Sequence, residues 1–280
     1  MAHSDESRER SGAAGPRERS GEERGEGPPR QIMDIIRVLW LRQLKRYVRS
    51  RARIIGSLGQ PLLFLIALGF GFGPVFQRAG QGNYIQFLAP GVICMTILFT
   101  AIFNGIELIW DRQFGFLKET MVAPVSRLTI MIGRTLGGAT VSLMQGMIVA
   151  AICLIAGFRP ARLAVLPEAF VFMALVAVMF TAFGTAIASV MEDFQGFQLV
   201  MNFLVMPTFF LSGALFPLTN VPRLIGVIAA IDPLSYGVDG LRTTLTGVSH
   251  FGVGTDLSVL AALTAVCLLA GSYLFSRIQL

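Results

Sequence analysis

Charge is scarce in this 280-residue chain: Asp, Glu, Lys and Arg make up 14% of it, against 54% hydrophobic residues. A water-soluble domain carries about 25% charged residues. With a mean hydropathy of +0.66, the chain reads as an integral membrane protein. Histidine occurs only as His3 and His250, which excludes a His-based catalytic group or a His–Cys metal cluster. Cysteine occurs three times, as Cys94, Cys153 and Cys267, each inside an apolar segment. These read as small buried hydrophobes, not as a disulfide framework or a metal site. Lysine occurs only as Lys45 and Lys118, each preceded by leucine. A phosphate-binding loop needs Gly-Lys followed by Ser or Thr, so no ATP site, cofactor or metal is expected on this chain. No nucleophile–base pair lies in the apolar segments, so the chain is not expected to be an enzyme.

Ionisable residues are also sparse within the apolar segments. Glu107, Glu168 and Asp256 fall at their predicted ends, and no segment has a central charge. Ion-coupled transporters usually carry an intramembrane acid, and selective channels need charged rings or a carbonyl filter. A transporter built this way takes its energy from outside the bilayer. The net charge of +6 invites a nucleic-acid partner, but the cations cluster beside apolar segments. That is membrane topology, not phosphate recognition.

What is present is a polar start followed by long apolar runs. Residues 1 to about 30 are rich in Gly, Ser, Glu and Arg, and they read as a disordered cytoplasmic tail without an apolar signal-peptide core. Residues 31–280 read as one transmembrane domain. From Gln31 to Arg53, Ile36, Trp40, Leu44 and Val48 recur every four residues, while Arg37, Arg42, Lys45, Arg46, Arg49 and Arg53 populate other faces. This is an amphipathic interfacial helix, with Trp40 and Tyr47 at the headgroup level. Six spans are predicted at Ile54–Phe72, Pro90–Ile109, Thr135–Ala156, Pro167–Val190, Phe197–Phe216 and Leu257–Phe275. Each is long enough for a hydrocarbon core about 30 Å thick. Pro90 and Pro167 suit a first helical position, while Pro61 and Pro207 should kink or locally unwind their helices. The run at Gly69, Gly71 and Gly73 reads as a loosened helix end. Gly133, Gly137 and Gly138 allow close helix approach, first of all within the chain.

Orientation follows from Lys and Arg. With the N-terminus inside, Arg37, Arg42, Lys45, Arg46, Arg49, Arg51, Arg53, Arg112, Lys118, Arg127, Arg134 and Arg277 lie on the cytoplasmic side. Arg78, Arg159, Arg162, Arg223 and Arg242 lie outside, a clear positive-inside bias. Both termini and the connection Trp110–Arg134 are then cytoplasmic. Asp111 suits an N-cap there, Phe114, Leu117 and Met121 fall on one helical face, and Pro124 ends the pattern. Such a helix either lies along headgroups or docks a soluble partner. Outside, Leu224–Ile231 is apolar but too short to span. Asp232-Pro233 then opens a helix to about Leu245 that stops before Gly247. These short pieces read as re-entrant or surface-lying helices packed into the outer mouth, and Ser212, Gly213 and Pro217 mark where the fifth span frays.

The interfacial helix, the six spans, and the segments FLSGALFPLTNVPRLIGVIAAIDPLSYGVDGLR and FGFLKETMVAPVSRLTIMIGR resemble the ABC-2 type permeases. These are membrane subunits of type V ABC exporters, and the likeness is greatest to the daunorubicin-resistance drug-export group. It covers about residues 31–280. Asp232 departs from the Asn that the family often places before Pro-Leu; either residue caps a helix. The resemblance implies a bacterial-type cell membrane and a permease dimer, homo- or heteromeric, bound to two ATP-binding subunits that hold ATP-Mg. The cargo implied is a hydrophobic or amphipathic drug, lipid or lipid-linked compound, exported by alternating access. It also implies a coupling helix at Phe114, Leu117, Lys118, Glu119 and Met121. An outer gate is implied around Ser212, Gly213, Pro217, Asp232, Pro233, Tyr236, Asp239 and Arg242. An ion-coupled secondary transporter is the alternative, and a scaffold without transport a third reading.

Overall fold

The computed structural model describes residues 28–78, 82–115, 126–191, 193–219 and 221–277. Most of the predicted tail, and Leu117, Lys118, Glu119, Met121, Ala123 and Pro124 of the Trp110–Arg134 connection, lie outside the described residues. Among those described, every regular element is helical. Helix α1 spans Pro28–Arg49, so it takes in the last residues assigned to the tail. Helix α2 spans Arg51–Arg78, α3 Tyr84–Phe103 and α4 Ile106–Gln113. They are followed by α5 Arg127–Ile155, α6 Leu166–Val190 and α7 Phe194–Leu211. Last come α8 Arg223–Ile231, α9 Pro233–Thr246 and α10 Val253–Ser276. Six are long and apolar enough to cross a membrane: α2, α3 with α4, α5, α6, α7 and α10. The pair α8–α9 bends by 90°, the shape of a broken span or of a re-entrant piece.

Several boundaries differ from the predicted ones for physical reasons. The glycine run at 69–73 is not a loosened end, because α2 continues through it to Arg78. In hydrocarbon every backbone group needs an internal partner, and this outweighs the helix penalty of about 1 kcal/mol per glycine. Pro90 is not a first helical position either. Asn83 caps α3 by accepting the Ile85 N–H at 2.9 Å, and Pro90 lies buried inside the helix. Ser126 caps α5 by accepting the Thr129 N–H at 3.1 Å, so this helix starts at Arg127, well before Thr135. The fifth span starts earlier than predicted, where Asp193 accepts the Gly196 N–H at 2.6 Å. It ends at Leu211, before Gly213 at φ 75°. Pro207 does unwind its helix locally: Met201–Val205 forms a π turn just upstream.

The core is built around α3, where Leu88, Ile93, Met95, Ile97, Leu98 and Ile102 are fully buried. Close backbone crossings hold the neighbours to it. A Cβ at Gly105 would meet the Gly184 carbonyl oxygen at 2.5 Å, and one at Gly91 would meet that of Ala214 at 2.3 Å. The Gly133–Gly137 pair makes an internal crossing: α1 lies in its groove, with Ile36 and Leu39 on Gly133 and Trp40 and Gln43 on Gly137. Trp40 donates its indole N–H to Thr140 Oγ1 at 2.9 Å. Tyr47 is not a headgroup residue, because it is 2% exposed and its hydroxyl bonds the Gln145 side chain. Helix α1 is therefore packed on the bundle as well as amphipathic. Cys94 and Cys153 are buried free thiols, as expected.

Candidate functional site

Two acids on α4 organise the end of the bundle nearest the Trp110–Arg134 connection. Glu107 and Asp111 are four residues apart, hence on one helical face, and are 5% and 6% exposed. An isolated buried carboxylate is strongly disfavoured, and here three other helices supply partners. Glu107 Oε1 accepts from Arg53 of α2. Its Oε2 accepts from Gln43 Nε2 at 2.7 Å and Arg46 Nη1 at 3.3 Å, both on α1. Asp111 Oδ2 pairs with Arg134 of α5 and, at 3.5 Å, with Arg42 Nη2 of α1. Burial first, and then the nearby Arg134 charge, hold the Arg42 guanidinium below its ordinary value, with Asp111 acting against them. Arg53 Nη2 also reaches Asn104 Oδ1 at 3.1 Å, and Asn104 donates to the Gly138 carbonyl at 3.0 Å. Asp111 is thus an interior helical residue in an ion pair, not the N-cap expected of it.

Arg112 completes the junction from the other side of α4. Its Nη1 and Nη2 donate to the carbonyls of Met191 and Ser189, each at 3.0 Å. Cations are favoured at the carbonyl end of a helix, so Arg112 fastens α4 to the end of α6. The short helix that leads into the Trp110–Arg134 connection is therefore bonded to α1, α2, α5 and α6. Phe114 closes it as C-cap and is 73% exposed. Of the residues predicted to form the coupling face, Phe114 is the one described.

Beside the acids lies a cavity of about 590 Å³. Tyr47, Arg53, Gly56, Ser57, Gln60 and Pro61 line it from α1 and α2, and Met95, Thr96, Phe99, Thr100 and Phe103 from α3. Ile106, Glu107 and Trp110 of α4 and Phe194 of α7 complete it. A mostly aromatic and aliphatic wall with a few polar groups is the usual make-up of a small-molecule site.

The predicted outer residues form a second cluster, at the opposite end of the α3–α4 span. Asp232 accepts the Leu234 N–H at 2.9 Å with Pro233 at the start of α9, and Gly247 ends that helix at φ 79°. Tyr236 donates its hydroxyl to the Ala230 carbonyl at 2.6 Å and stacks on Phe251. Asp239 accepts the N–H groups of His250 and Phe251, closing the turn before α10. Arg242 donates to the Gly213 carbonyl at 2.9 Å and lies 3.9 Å over the Phe87 ring. Ser212 donates to the Phe209 carbonyl at 2.9 Å. Pro217 is half-buried in the stretch between α7 and α8. The sequence reading missed the inner cluster, because Glu107 looked like a span end. The signal was available in the i, i+4 spacing of Glu107 and Asp111 opposite a run of arginines.

Residues 35–246 match the model of the family described as ABC-2 type transporter. The chain belongs to that family. It is 30% identical over 207 residues to the transport permease ycf38 of Cyanophora paradoxa, covering 71% of this chain and 69% of that protein. It is 26% identical over 244 residues to Nodulation protein J of Rhizobium leguminosarum bv. viciae, covering 85% and 93%. The inner membrane transport permease YadH of Escherichia coli strain K12 is 26% identical over 231 residues, covering 80% and 88%. The chain is therefore a multi-pass ABC-2 permease, and family membership implies an ABC ATPase as its partner subunit.

Proposed function

We propose that this permease is the membrane half of an ATP-driven exporter that moves a hydrophobic or amphipathic molecule out of the cytoplasm. Two copies, or one copy and a related chain, pair in a bacterial-type cell membrane, with both termini in the cytoplasm. Two ATP-binding subunits hold ATP-Mg and dock on the segment from Phe114 to Met121. Their closure on ATP displaces α4, and the bonds to α1, α2, α5 and α6 carry that displacement into the bundle. The cavity opens inward in one state, and the outer cluster parts in the other.

The single observation that carries this reading is the junction on α4. A short helix entering the cytoplasmic connection is bonded through Glu107, Asp111 and Arg112 to four helices, and Glu107 also lines the cavity. A push on the connection is thereby a push on the cavity wall. The alternative, ion-coupled transport, draws on Asp256, which is fully buried with no donor to its oxygens among the described residues. Inside-out vesicles separate the two. Uptake is expected with ATP and the partner ATPase, and none with a proton or sodium gradient alone. Gradient-driven uptake without ATP would sink the exporter reading.

A further inference from the structure

The polar groups of the cavity wall fall into two sets: Tyr47, Arg53 and Glu107, which are bonded to other side chains, and a strip on α2 and α3 whose hydrogen-bonding capacity the chain leaves partly unused. Pro61, inside α2, has no N–H, so the Ser57 carbonyl one turn earlier loses its helical donor. The Ser57 hydroxyl already donates to the Ile54 carbonyl at 3.0 Å. Gln60, in the same turn, is exposed, and its carboxamide has no partner among the described residues. On α3, Thr96 donates to the Val92 carbonyl at 2.8 Å, while the Thr100 hydroxyl has no partner among the described residues. Ser57, Gln60, Thr96 and Thr100 all line the same cavity. An amide facing an apolar space without a partner is disfavoured, so a ligand that supplies partners is favoured there.

Charge at the mouth of the cavity decides the kind of head group. Glu107 is the acid in the wall, and both of its oxygens are occupied, one by Arg53 and one by Arg46 and Gln43. Arg53 is the cation in the same wall, and it pairs with Glu107 and donates to Asn104, so the two charges neutralise each other and favour neither a cationic nor an anionic head. The unused set is one carboxamide, one hydroxyl and one carbonyl, which together both donate and accept. Phe99, Phe103, Trp110 and Phe194 supply the apolar remainder.

We propose that this strip binds the polar head of the transported molecule, and that the head is uncharged and carries hydroxyl or amide groups. The inference rests on the permease reading above. Its test uses Trp110, one of only two tryptophans in the chain, as a reporter in the cavity wall; Trp40→Phe removes the other. The full chain with its ATPase is placed in zwitterionic nanodiscs and titrated with two probes of identical brominated tail, an alkyl glucoside and an alkyl trimethylammonium. The glucoside is expected to quench Trp110 at the lower mole fraction. The double variant Gln60→Leu with Thr100→Val should raise that fraction about tenfold, the loss expected for one or two neutral hydrogen bonds, and leave the ammonium unchanged. Should that variant not fold, Thr100→Val against Thr100→Ser makes the same comparison with a smaller shift. Equal or stronger quenching by the ammonium, or no shift in the variants, overturns the proposal. ATP hydrolysis by the same complex keeps the two readings apart: if it persists while the glucoside preference is absent, only the head-group class fails. A wild-type chain that recruits no ATPase fails the permease reading beneath it.

Discussion

Two arginines reach Asp111, and burial separates them. The Arg134 side chain is 10% exposed and that of Arg42 is 43% exposed. Removing one member of a buried pair costs about 3–5 kcal/mol, whereas an exposed pair contributes about 0–1 kcal/mol. Arg134→Ala should therefore destabilise the permease by several times as much as Arg42→Ala, as read by denaturant unfolding in detergent. Equal losses would mean that Asp111 is satisfied by something other than Arg134. At this scale, residues whose role is local were legible in the sequence. The Asp232 cap, the Pro233 start and the Gly247 stop depend on neighbours within a few positions, and all three stand as expected. Tyr47 and Asp111 were misplaced because their partners, Gln145 and Arg134, lie far along the chain. Periodicity marks which face of a helix is apolar, but it does not say which distant group will meet a polar side chain.

Among the elements, α1 and α9 give the sharpest expectations. Helix α1 approaches α5 only because glycine fills the crossing: a Cβ at Gly137 would sit 2.7 Å from Gln43 Cγ. Gly137→Leu should push the helices apart at about 1–3 kcal/mol and wet the Trp40–Thr140 contact. A red shift in Trp40 emission, measured with Trp110→Phe, checks this; an unshifted spectrum would show that the crossing has slack. In α9, Asp232→Ala removes an N-cap worth about 1 kcal/mol. It should slow export without reducing membrane assembly, while Asp232→Asn, which still caps, should export normally. In the Trp110–Arg134 connection, Leu117→Asp charges the face predicted to meet the ATPase. Membrane insertion should survive and co-purification of the ATPase should be lost, whereas undiminished co-purification would remove Leu117 from that face. The existence of the helices was legible from apolar run length. Their ends were not, because hydropathy sees no caps: Asn83, Ser126 and Asp193 each start a helix earlier than the predicted span does.

For the whole molecule, the six spans, the amphipathic first helix and the two short helices α8 and α9 could all be read from composition and length. The bilayer permits few alternatives. The assembly is a separate matter. Native mass spectrometry of the intact complex should find two permease chains, each of 30.4 kDa in the homodimer, with two ATPase subunits; a single permease chain would remove the dimer from the mechanism. The ion cluster on α4 also has a consequence for the order of synthesis. Translation delivers Arg42, Gln43, Arg46 and Arg53 before Glu107 and Asp111, and Arg134 after them. Chains fold from the N-terminus as they emerge, so Glu107 meets all its partners, and Asp111 its first, once two spans exist. The third span arrives to find a socket already formed, in which Asp111 waits for Arg134. Neither acid of the pair is without an arginine partner once two spans exist.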